Sequence, residues 1–130
     1  MNKFIIWDNS LNIGNAKIDS QHQGMVDVIN ELYENVVNGD VVAFDAIVIK
    51  LVEYSINHLM DEEELMEQIN YPNLDKHRDY HNALRRETLK MKSDEVTSNS
   101  DKQLELLRFL KAWWINHIAN EDRKYVPFLK

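Results

Sequence analysis

The chain has 130 residues, the size of one domain spanning 1–130, which is enough to bury a core of its own. It contains no cysteine, so disulfides and thiolate metal sites are excluded, and imidazole and carboxylate are the side chains left to hold any metal. A formal net charge of −7 argues against nucleic acid or an anionic membrane as partner, and the presence of only 3 Gly and 2 Pro favours long helices.

Residues 1–17, with Gly14, read as an irregular arm whose Phe4, Ile5, Ile6 and Trp7 pack on the rest of the chain. The apolar run breaks at Trp7-Asp8, too soon for a signal-peptide core, and no stretch approaches a transmembrane span. A cytoplasmic location is therefore expected. The first helix is expected over 19–38, with Asp19 as N-cap and Gly39 as its stop. Ile18, Met25, Val26, Ile29, Leu32, Tyr33 and Val36 recur at three- and four-residue steps and form one face, which also carries His22. A second helix is expected over 41–69, capped by Asp40 and ended by Asn70-Tyr71-Pro72. Its stripe is Phe44, Ile47, Val48, Leu51, Ser55, His58, Glu62, Leu65 and Ile69. A third, over 73–92, has the stripe Leu74, His77, His81, Leu84, Thr88 and Met91. Residues 93–100 are polar and read as a loop. The fourth helix starts at the cap candidate Ser100 and runs to 121, with Leu104, Leu107, Leu110, Trp113 or Trp114, and His117 facing inward. The tail, with Tyr125, Val126, Pro127 and Phe128, folds back on it. Four amphipathic helices with short connections predict an all-α, antiparallel up-down four-helix bundle.

All 5 His of the chain fall on these inward stripes. One such His is satisfied by a single hydrogen bond, but five imidazoles with a carboxylate in one small core need partners, and a metal centre supplies them. His77 and His81 are one helical turn apart, as are His58 and Glu62. Of the acidic run Asp61-Glu62-Glu63-Glu64, only Glu62 continues the inward stripe, and the other three read as a solvated face. Asp122 lies five residues beyond His117, about 140° past a full turn of an ideal helix. The helix is therefore expected to loosen or end there, letting Asp122 swing inward.

The segments Ile18-Asp19-Ser20-Gln21-His22, His58-Leu59-Met60-Asp61-Glu62-Glu63, His77-Arg78-Asp79-Tyr80-His81 and His117-Ile118-Ala119-Asn120-Glu121-Asp122 resemble the hemerythrin family in its bacterial branch. Trp113, Tyr125, Tyr71-Pro72 and Ile13-Gly14 extend the resemblance over essentially the whole chain. It implies a metal site of seven ligands, with His77, His81 and His117 on one iron and His22 and His58 on the other. Glu62 and Asp122 would bridge the two non-haem irons together with a solvent-derived oxo or hydroxo group. Dioxygen would bind at the open position of the two-His iron, in an apolar pocket for which Ile118, Leu59, Trp113, Ala119 and Met25 are the candidates. Leu59 stands where the family usually has Phe, and Ala119 is small for its position; both changes leave the ligands intact.

The implied function is reversible dioxygen binding for carriage, storage or delivery, with no catalytic residue and no identifiable protein partner. An oxygen, nitric oxide or redox sensor module, or a di-iron peroxidase or oxidase, is the alternative. No further acid or base lies on the inward stripes, so an enzyme is not expected. Arg78 follows His77, so the His-Glu-x-x-His pattern of zinc proteases is missing.

Overall fold

The structure, a computed structural model, describes residues 4–39 and 41–129. Its long helices are α1 (Ala16–Asn38), α2 (Val41–Gln68) and α3 (Leu74–Leu89), followed by the single turn α4 (Asp94–Thr97) and by α5 (Ser100–Asn116). Together α1, α2, α3 and α5 form the four-helix bundle. No helix among the described residues is long and apolar enough to cross a membrane.

The boundaries follow local chemistry. Asn15, not Asp19, caps α1: its side chain accepts from the Ile18 N–H at 3.0 Å. Asp19 sits one turn further in and accepts from the N–H groups of Ile13 (2.7 Å) and Gly14 (3.2 Å), so it ties the arm to the helix. Gly39 ends α1 in the left-handed region at φ 71°, where a residue without Cβ is favoured. The proposed cap Asp40 lies outside the described residues. Asn70, at φ 57°, and Pro72 separate α2 from α3. The stretch read as loop holds α4, which Ser93 caps by accepting from the Val96 N–H. Asn99, rather than Ser100, caps α5.

The arm packs as expected except at one residue. Asn30 grips Ile5 twice, accepting from its N–H at 2.7 Å and donating to its carbonyl at 2.9 Å. Phe4 stacks on Tyr33, with ring centroids 4.2 Å apart. Ile6 instead faces solvent, 77% exposed.

The interior holds two apolar clusters. The larger contains Met25, Leu51, Leu59, Leu84, Leu107, Trp114 and Ile118; the smaller contains Ile13, Ile18, Met66, Tyr71 and Tyr125. In α1, α2 and the C-terminal segment, the chain passes a buried polar residue as it crosses from one cluster to the other. His22 lies between Ile18 and Met25, Glu62 between Leu59 and Met66, and Asp122 between Ile118 and Tyr125. A polar layer therefore divides the core.

Candidate metal centre

Every element of the bundle contributes to that layer. α1 carries His22, α2 carries His58 and Glu62, and α3 carries His77 and His81. α5 delivers His117 and Asp122 through a change of helix type. After Asn116 the backbone opens into one π-helical turn over His117–Glu121, and the Asp122 N–H donates to the His117 carbonyl five residues back. The wider turn brings Asp122 round to the side of His117, the loosening that the five-residue spacing requires. A 3-10 segment, Asp122–Phe128, then returns Tyr125 to the core.

All seven of these side chains are buried. They fall into two groups that share the carboxylates. Glu62 Oε1 lies 3.1 Å from His77 Nε2 and 2.9 Å from His81 Nε2, and Asp122 Oδ1 lies 3.1 Å from both His77 Nε2 and His117 Nε2. The second oxygens face the other way. Glu62 Oε2 is 3.5 Å from His22 Nε2 and 3.6 Å from His58 Nε2, and Asp122 Oδ2 is 3.2 Å from His22 Nε2. Three imidazoles with one oxygen of each carboxylate give five donor atoms on one side. Two imidazoles with the remaining oxygens give four on the other.

The donors suit cations better than one another. Nε2 of His117 lies 2.9 Å from Nε2 of His77 and 3.1 Å from Nε2 of His81, so three ring nitrogens converge where hydrogens cannot satisfy them all. Both nitrogens of His22, Nε2 of His58 and both oxygens of Asp122 are buried without a hydrogen bond. Such groups cost about 2–7 kcal/mol each in an apolar interior unless something pairs with them. Imidazole and carboxylate are a borderline-to-hard donor set that suits iron. The residues fit a pair of metal ions.

Without metal the charges settle among protons. Burial alone would lower the His22 and His117 imidazoles, yet Asp122 and Glu62 outweigh it and carry each up to about 9. Burial dominates at His58, which is pushed down to about 4 despite Glu62. Burial works against the Glu62 charge, but the neighbouring imidazoles of His117, His22, His77 and His81 hold it well below the usual carboxylate range. Burial and Glu62 likewise oppose the Asp122 charge, and His117 and His22 overcome them. Tyr125 is raised by burial and by Glu62; its hydroxyl keeps its proton and donates to Glu62 Oε2 at 3.1 Å.

A ring of outer partners aims the imidazoles. His58 Nδ1 pairs with Gln21 Oε1 at 2.7 Å, and Gln21 donates in turn to Asp61 Oδ2 at 2.8 Å. His81 Nδ1 pairs with Glu63 Oε2 at 2.7 Å, and the same oxygen accepts from Arg85 at 2.7 Å. A hydrogen bond at Nδ1 fixes the ring and leaves Nε2 to the centre. Asp61 and Glu63 were expected on a solvated face; both are half-buried and partnered, and only Glu64 is exposed. Their neighbours come from α1 and α3, which the α2 sequence by itself does not reveal.

The pocket candidates divide. Met25, Leu59 and Ile118 are fully buried in the larger cluster, and Ala119 is half-buried in the π turn. Trp113 stacks on His117 with centroids 4.2 Å apart and also approaches His81, so it flanks the three-His side. Trp114 is the tryptophan beside the two-His side, 5.5 Å from His58 and 6.4 Å from His22. The sequence left open which tryptophan turns inward.

Fold and site together define a helical bundle with a buried two-compartment histidine and carboxylate centre. The family model described as "Hemerythrin HHE cation binding domain" matches residues 14–129. A bacteriohemerythrin of Pseudomonas aeruginosa is 31% identical over 126 residues, covering 97% of this chain and 82% of its own length. A myohemerythrin of Theromyzon tessulatum is 32% identical over 119 residues, covering 92% of this chain and 88% of its own. A crystal structure of wild-type hemerythrin superposes with a TM-score of 0.82 at 21% identity, covering 97% of this chain and 98% of that one. The chain belongs to the hemerythrin family.

Proposed function

We propose that this protein binds dioxygen reversibly at a pair of non-haem irons held by His22, His58, Glu62, His77, His81, His117 and Asp122. The observation that carries the reading is the sharing of Glu62 and Asp122, each with one oxygen on the side of His77, His81 and His117 and the other on the side of His22 and His58. When bound, the iron pair supplies two electrons and, on the two-His side, a free coordination position. The unequal donor count, five against four, is what makes the two sides different. Met25, Leu59, Ile118 and Trp114 are buried around the centre and keep bulk water and its protons away. Tyr125 holds its proton on the hydroxyl and steadies Glu62 by donating to it. Gln21 and Glu63 keep His58 and His81 in the tautomer whose Nε2 is available.

An oxo or hydroxo bridge between the irons, the absence of catalytic turnover and a cytoplasmic place belong to the same reading. Visible absorption tests it. Iron-loaded protein is expected to change spectrum on oxygenation and to recover under argon over repeated cycles. Irreversible bleaching, or steady consumption of a reductant and oxygen, overturns reversible binding in favour of an oxidase or peroxidase.

A further inference from the structure

Away from the metal centre, α2 and α3 leave a groove of about 430 Å3 between them. This lies within the range of about 300–1,000 Å3 usual for small-molecule sites. Val52, Ile56, Met60 and Leu89 line it, together with the buried Ser55 and Thr88. Ile56, Met60 and Leu89 are 38%, 58% and 50% exposed, which leaves a continuous apolar strip open to water. From Val52 to Met60 the helix rises about 12 Å, the length of an extended medium-length alkyl chain.

One part of the groove is polar. Asn82 and Arg85 line it on α3. Arg85 donates to Asn82 Oδ1 at 2.8 Å and to Glu63 Oε2 at 2.7 Å, and its guanidinium has further donors beyond these two. Three residues along the same helix, Thr88 is 2% exposed, and its Oγ1 is buried without a hydrogen-bond partner. Residues three apart share a helix face, so the cation and the unsatisfied hydroxyl present themselves to the groove together. A buried hydroxyl in that state is costly, and an acceptor in the groove would satisfy it. Alkyl walls, a guanidinium and a lone hydroxyl donor describe a ligand with an apolar chain and an anionic head.

We propose that the α2–α3 groove is a binding site for a medium-chain monocarboxylate, its alkyl chain along Val52, Ile56, Met60 and Leu89 and its carboxylate between Arg85 and Thr88. A guanidinium prefers a carboxylate to an alcohol, so the head group decides affinity. The site does not depend on the oxygen-binding reading.

Isothermal titration calorimetry with octanoate on the metal-loaded 130-residue chain tests it. Saturable one-to-one binding is expected. Arg85→Gln, and separately octanol in place of octanoate, should weaken binding by about tenfold or more, the loss of a charge-assisted contact. Ile56→Asp sets a carboxylate in the groove from a partly exposed position and should remove binding while circular dichroism shows the fold intact. Octanol binding as tightly as octanoate, or no saturable heat, overturns the proposal. So does a dimer in sedimentation that Ile56→Asp dissolves, because the groove then belongs to a second copy. Calorimetry reads the groove whether or not the irons bind oxygen.

Discussion

Glu63 accepts from both His81 and Arg85 at 2.7 Å, so the carboxylate that steadies the His81 ring is itself held by a guanidinium. Glu63→Gln keeps the shape but weakens the pull on His81. Outer partners of this kind are worth about 10–100-fold in metal affinity, and competition with a chelator should show a loss in that range with little change in helicity. The metal-free chain has a distinctive dependence on pH. His22 and His117 are raised to about 9, so their contribution is fully present below the ordinary histidine value and is lost as pH rises through 9. His58 is lowered to about 4 and must take up a proton in the unfolded chain, so stability also falls as pH drops from the ordinary value toward 4. The lowered Glu62 and Asp122 add to that acid side. Urea midpoints of metal-free protein should therefore peak near neutrality and decline towards both pH 4 and pH 10. A midpoint that climbs steadily to pH 10 would contradict the assignment.

At the level of the elements, most of the architecture is readable before any coordinates. The three- and four-residue recurrence of apolar residues marks the four long helices, and His22, His58, His77, His81 and His117 stand on those same stripes, so their burial follows from periodicity. Asp122 is the instructive case: five residues after His117 it breaks the α period, and the π turn is the backbone's answer. What escapes is what depends on a neighbouring helix. Asp61 and Glu63 look solvent-facing along α2, because their partners Gln21 and His81 come from α1 and α3. Caps escape for a different reason. Asn15 and Asp19 are equally good capping residues one turn apart, and only the arm's need for an acceptor at Ile13 and Gly14 separates them. The start of the arm is gripped by Asn30. Asn30→Ala removes both bonds to Ile5 and should destabilise the protein by about 1–2 kcal/mol, with the Ile5 amide exchanging its hydrogen far faster than before. An unchanged exchange rate would show that Phe4 on Tyr33 suffices to hold the arm.

For the whole molecule, the polar layer between the two apolar clusters sets the energetics. Five buried polar atoms of His22, His58 and Asp122 lack hydrogen bonds, so the stripped protein carries a cost that metal held by these residues would relieve. At metal concentrations a thousandfold above Kd, binding adds about 4 kcal/mol. For a domain of this size that corresponds to a rise in melting temperature of about 10 °C or more. Calorimetric scans of stripped and reconstituted protein should show it, and coincident melting curves would refute a structural role for the ions.

The two-part interior has a consequence for the protein's lifetime. With the dividing layer unfilled, the small cluster of Ile13, Ile18, Met66, Tyr71 and Tyr125 rests on charged side chains rather than on a closed interior. That end is then expected to open before the rest, and proteases cleave chains in proportion to how often they open. Scarcity of iron would thereby become scarcity of the protein itself, with no change in its synthesis, if chains made without their ions are cleared. Pulse-chase labelling of iron-starved and iron-replete cells should show the shorter half-life in the starved ones.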